Sequence, residues 1–101
     1  MVQDSAKLRR QERARARQAI QGELKKAREQ VAKLEKQYDE LSDRKSFLVA
    51  KLSCGGKVDF AALKKELSEV EEALAKCEAQ WEESAMDLEA LKLENDRIHS
   101  N

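Results

Sequence analysis

Ser53-Cys54-Gly55-Gly56-Lys57-Val58-Asp59 interrupts a 101-residue sequence that has almost no other turn punctuation, with no proline and only one further glycine, Gly22. Either glycine of the pair can take the left-handed conformation that closes a helix C-terminus. Asp59 is a good N-cap for a following helix, and Val58 and Leu63 fall at the N′ and N4 positions of a hydrophobic staple. The stretch therefore predicts the end of one helix and the start of the next.

The flanking apolar residues say what those helices do. Upstream, Ile20, Leu24, Ala27, Val31, Leu34, Tyr38, Leu41, Lys45, Leu48 and Leu52 follow one another in alternating steps of four and three. Downstream, Phe60, Leu63, Leu67, Val70, Leu74, Cys77, Trp81, Ser84, Leu88 and Leu91 do the same. Eighteen of these twenty positions are apolar or aromatic, Lys45 and Ser84 being the exceptions. A seam at 3.5-residue spacing, held over more than four heptads, argues for a coiled coil and against the wider stripe of a globular helix. At 1.5 Å per residue each seam runs for about 50 Å. A connection over residues 53–59 is too short for a parallel return, so the helices must be antiparallel. Folding back about the tip pairs Leu52 with Phe60, Tyr38 with Leu74, Val31 with Trp81 and Ala27 with Ser84. On this register Tyr38 and Trp81 are core residues, and the small Ala27/Ser84 layer leaves room for the neighbouring indole. Phe47 and Met86 fall off the seam and are expected to be exposed.

The expected fold is all-α: an antiparallel two-helix coiled-coil hairpin with a basic helical lead-in. Residues 1–19 form the lead-in, 20–92 the hairpin with its tip at 53–59, and 93–101 a tail. Composition agrees, since Ala, Glu, Lys, Leu and Arg supply 60 of 101 residues, above the roughly half that marks a long helix. Two helices alone bury one narrow stripe, so stability is expected to be marginal and to be relieved by self-association or docking. The longest apolar runs, residues 47–50 and 60–63, are four residues against the ~20 of a membrane span. The N-terminus has no apolar segment of the secretory kind and the two cysteines make no disulfide framework, so a cytoplasmic, non-membrane chain is expected.

Little here reads as catalytic. The single histidine, His99, has no ligand cluster around it. Cys54 and Cys77 lack metal spacing and lie too far apart on the hairpin to pair, Cys77 reading as a core residue and Cys54 as an exposed thiol. Glu71/Glu72 and Glu82/Glu83 read as solvated faces, and no phosphate-binding G-x-x-x-x-G-K-[ST] loop exists. The chain is expected to be no enzyme and to hold no cofactor or metal.

Charge is the informative asymmetry. The formal net charge is zero, but residues 1–54 carry 14 basic and 8 acidic side chains while residues 55–101 carry 6 and 12. Lys7, Arg9, Arg10, Arg13, Arg15 and Arg17 put six cations into eleven residues. Arg10, Arg13 and Arg17 continue the stripe that turns apolar at Ile20. These arginines either pair with Glu94 and Asp96 across the open end of the hairpin or meet nucleic-acid phosphates, with Lys25, Lys26, Arg28 and Lys33 extending the basic face. Without interleaved aromatic residues, such contacts would be to backbone and shape, not to base sequence.

The lead-in Arg9-Arg10-Gln11-Glu12-Arg13-Ala14-Arg15-Ala16-Arg17, the heptad helix around Val31-Ala32-Lys33-Leu34-Glu35-Lys36, the short turn and the Trp81-Glu82 pair together resemble the C-terminal coiled-coil domain of ABC-F ATPases. The likeness is to the Uup/YheS-like branch and spans residues 7–92. It implies a parent with two upstream nucleotide-binding domains that hold ATP and Mg, no transmembrane part, and action on the ribosome in translation. Residues 1–19 would then link the hairpin to those domains, and the hairpin would contact rRNA, tRNA or DNA. The positions carried over are the lead-in arginines with Lys25 and Lys26. The tip departs from this pattern in offering only Lys51 and Lys57, and the second helix is acidic. Two other roles fit the same pattern: a structural coiled coil for dimerisation or domain docking, and the tRNA-binding arm of a seryl-tRNA synthetase, also a hairpin of about this size.

Overall fold

The computed structural model describes residues 2–100, with side chains described over 5–100. Two helices account for nearly all of them: α1 (Val2–Cys54) of 53 residues and α2 (Phe60–Ser100) of 41. The described residues contain no strand. The fold is the antiparallel two-helix hairpin that the seams predict, and its contacts divide into two compact units, Val31–Glu83 and Met1–Gln30 with Ser84–Asn101.

In the Val31–Glu83 unit the turn follows the chemistry of its residues. Gly55 and Gly56 both take positive φ, 69° and 95°, where a Cβ would crowd the backbone. The Val58 N–H donates to the Gly56 carbonyl at 3.0 Å, closing the turn. Asp59 then caps α2: its Oδ1 accepts from the Ala62 N–H at 3.1 Å, while its carbonyl accepts the first helical bond from Leu63 at 3.0 Å. Val58 and Leu63 are both half-buried, as a hydrophobic staple requires.

Cross-helix partners give the direction of pairing. Arg44 bonds Glu66, the Leu34 carbonyl accepts from Cys77 Sγ at 3.3 Å, and Glu35 accepts from Trp81 at 3.1 Å, so falling numbers on α1 meet rising numbers on α2. Leu34, Leu48, Val70 and Cys77 are buried, all of them seam positions. Lys45, the one cation of the seam, is half-buried and sends its Nζ to Glu71 at 3.7 Å. Its aliphatic stem covers the seam while the charge leaves it.

The aromatic seam residues do not follow the expectation. Tyr38 is 40% exposed, Trp81 37% and Phe60 46%. A seam between two helices has water along both edges, so a ring wider than the stripe projects past it. Indole also carries an N–H that needs an acceptor. Trp81 finds it in Glu35 at the edge of the seam. Phe60 opens α2 at the tip. Phe47 is exposed as expected, with Arg44 and Lys51 set over its ring at 5.1 and 4.9 Å.

In the other unit the buried side chains are Ile20 and Leu24, with Ala27, Ser84, Leu88 and Leu91 half-buried on the same register. The four-three rhythm of α2 continues past Leu91 to Asn95 and Ile98, both half-buried. Gln21 Nε2 donates to Asn95 Oδ1 at 3.1 Å, a polar contact that favours one register over its neighbours.

Two stability outcomes follow from this packing. Leu48→Ala, at a fully buried seam position, should lower unfolding free energy by about 2–5 kcal/mol, while exposed Leu93→Ala stays within about 0.5 kcal/mol, both read by urea denaturation under far-UV circular dichroism. The glycines should split by sign in the same experiment. A Cβ at Gly22 meets nothing within 4 Å, so Gly22→Ala stabilises α1 by about 0.5–1 kcal/mol. Gly55→Ala has the same open space but a φ of 69°, and loses about 1–2 kcal/mol to backbone strain.

Candidate nucleic-acid interface

All nine basic residues singled out from the sequence lie in the Met1–Gln30 segment of α1, and all nine are exposed. A continuous helix sets their directions. Arg10, Arg13 and Arg17, three and four residues apart, stack along one stripe that leads into Ile20 and Leu24. Arg9 lies beside that stripe. Lys7 and Lys25, eighteen residues or five turns apart, share a second direction. Arg15 and Lys26, eleven apart, share a third, and Arg28 falls one turn beyond Lys25. The helix thus gathers Arg9, Arg10, Arg13 and Arg17 on its seam side and spreads the other five around the outer face.

Two of the gathered arginines, Arg9 and Arg13, border a recess. Arg9, Glu12, Arg13 and Ala16 of α1 face Arg97 and Ile98 of α2 around a space of about 670 Å³. Three guanidinium groups line it against one carboxylate. Arg97 was not among the sequence candidates, because it stands in the acidic half of the chain. The signal that could have found it is the seam rhythm, which carries through Asn95 to Ile98 and so brings the last turn of α2 opposite the lead-in.

Electrostatic pairing around this recess is uneven. Among the described residues, Lys7, Arg9, Arg10, Arg13, Arg15 and Arg17 make no ion pair. Of the two readings for these arginines, the pairing with Glu94 and Asp96 is not formed among the described residues, and Glu94 instead binds Arg97 one turn along its own helix. The Nε of Arg97 donates to Glu94 at 3.0 Å, with a second, shorter bond from its Nη2. The hydrogen bond from Arg97 holds the Glu94 carboxyl below the usual carboxylate range, against an opposing desolvation and with a smaller contribution from the Arg97 charge. The same bond raises the Arg97 guanidinium further above its already high value. A lowered carboxyl keeps its pair as acidity rises and loses it only when pH falls through the lowered value, so Arg97 is both charged and anchored at neutral pH. Glu12, the acid within the lead-in, makes no ion pair among the described residues either, whereas Arg97 has its partner in Glu94.

Other chemistry is sparse. His99 is exposed in the last turn of α2, its Nδ1 donating to the Asn95 carbonyl at 2.8 Å. Cys54 is an exposed free thiol and Cys77 a buried one. Among the described residues no group of His, Cys, Asp and Glu is placed to hold a metal ion, and no helix is long and apolar enough to cross a membrane.

Because the lead-in arginines make no ion pair among the described residues, exchanging Arg9, Arg10 and Arg13 for Gln should leave unfolding free energy within about 0.5 kcal/mol of the parent chain in urea denaturation. A larger loss would mean that the arginines help to hold the fold.

No family model, curated protein or solved structure matches this chain.

Proposed function

We propose that this chain is a non-catalytic, nucleic-acid-contacting helical arm. The supporting observation is a cationic stretch, residues 7–17, that is exposed and without an ion-pair partner among the described residues. Holding like charges in one helix costs stability, and a phosphate backbone is the polyanion that repays it. Arg9, Arg10, Arg13 and Arg17 reach phosphates from the seam side, with Arg97 beside them. Lys7, Arg15, Lys25, Lys26 and Arg28 extend contact around α1. Guanidinium forks suit phosphate oxygens, and no aromatic residue lines the basic recess, so recognition follows backbone and shape.

The resemblance to the C-terminal coiled-coil domain of ABC-F ATPases gives this contact a setting. In it the arm belongs to a soluble ATPase acting on the ribosome, rRNA or tRNA is the polyanion, and ATP and Mg are held by the parent's nucleotide-binding domains. Movement of those domains would place and withdraw the arm.

Titration against ribosomes, structured RNA and duplex DNA at several salt concentrations tests the reading. Affinity should fall linearly on a log–log salt plot, with a slope of about 0.7–0.9 per phosphate contact. R9Q/R10Q/R13Q should weaken binding at every sequence and flatten that slope by about two to three units. Equal binding by this variant and the parent chain at low salt would defeat the proposal.

A further inference from the structure

Glu35, Tyr38 and Asp39 of α1 and Glu78 and Trp81 of α2 enclose a recess of about 250 Å³ in the Val31–Glu83 unit. That is smaller than the ~300–1,000 Å³ that admits a drug-sized molecule, and suits one long side chain. Three of the five lining residues are carboxylates and none is a cation. None of the three carboxylates has an ion-pair partner among the described residues. Glu35 and Asp39 stand four residues apart on one helix, a like-charge placement that opposes folding.

The remaining two walls are the rings of Tyr38 and Trp81, both of which project past the seam. Trp81 is held there by its hydrogen bond to Glu35, which leaves the second oxygen of that carboxylate free to accept. Carboxylates beside aromatic faces recognise an organic cation. Arginine uses both features at once, forking onto carboxylate oxygens and stacking on rings.

We propose that this recess receives an arginine side chain from the lead-in, residues 9–17, of a second copy of the chain. Charge complementarity selects that occupant. The lead-in presents Arg9, Arg10, Arg13, Arg15 and Arg17, exposed and without ion pairs among the described residues. The recess has three acids and no cation, and the lead-in sets five arginines against one acid, Glu12, in one chain of zero net charge. Two copies related by a twofold axis fill both recesses at once, giving a closed dimer. The contact stands apart from nucleic-acid binding, and either can hold without the other.

Light scattering and Trp81 fluorescence on the nucleic-acid-free chain test it, Trp81 being the sole tryptophan. At low salt the mass should rise with concentration and fall back on adding salt, with Trp81 emission shifting in parallel. The recess variant E35Q/D39N/E78Q and a lead-in variant with Arg9, Arg10, Arg13, Arg15 and Arg17 all exchanged for Gln should each associate more than about tenfold more weakly. Mixed together, they should recover part of the association, because one supplies intact arginines and the other an intact recess, restoring one of the two contacts. Glu35→Gln keeps a carbonyl for the Trp81 N–H, and recovery on mixing shows that both variants fold. Should the triple recess variant lose its helical signal, D39N alone must weaken self-association by the same criterion. A parent chain that stays monomeric throughout, a recess variant that associates like the parent, or a mixture that associates no more than either variant alone overturns the proposal.

Discussion

One narrow seam does nearly all the holding in this protein. Every buried side chain among the described residues, from Ile20 and Leu24 to Val70 and Cys77, sits at an a or d position of the two heptad series. A two-helix stripe has no third layer, so nothing larger than Leu fits wholly inside it. Leu24 and Leu48 are the side chains that disappear from solvent altogether. The constraint reaches the polar residues as well. Lys45 can occupy a seam position because its charge escapes to Glu71, and Asn95 can because Gln21 meets it. Cys77 donates its thiol to the Leu34 carbonyl, so even the least apolar core residue is satisfied.

Where the seam narrows, the rings are displaced. Tyr38 and Trp81 stand in the same rhythm as the leucines, and periodicity alone cannot tell a position from the volume available at it. This is why the heptads placed both rings in the core when their flanks are in water. The tip was more legible, because its chemistry is local: two glycines at positive φ and one aspartate within reach of the Ala62 N–H need no distant partner. Lys45 and Ser84, the two breaks in the pattern, were also informative without disrupting the register.

The candidate interface was legible in part for a related reason. A helix shows its own charged residues in sequence order, so the run from Lys7 to Arg17 could be read directly. What could not be read was which acid each arginine would meet. Glu94 was an available partner across the hairpin, but Arg97 lies three residues away on the same helix and needs no second element to reach it. A local pair forms with little added ordering, and it wins over a distant one between flexible side chains at a solvated surface. Arg97 is thereby fixed in place, and the lead-in arginines are left without an ion pair among the described residues.

On the two proposals, the same arginines serve two different acids, phosphates in one case and the carboxylates around Tyr38 and Trp81 in the other. Both contacts are short-range, since at 0.1 M salt charges more than about 10 Å apart are largely screened. A guanidinium cannot fork onto both acids together, so occupancy of one excludes the other for each arginine involved. The polyanion adds counterion release, which a pocket of three carboxylates cannot match, and it engages many cations at once. The recess adds aromatic faces and a closed twofold arrangement, which favour it where polyanion is scarce. On these two proposals, the uneven spread of charge along the chain makes it respond to the balance of anions around it, with association between copies giving way as phosphate contacts form.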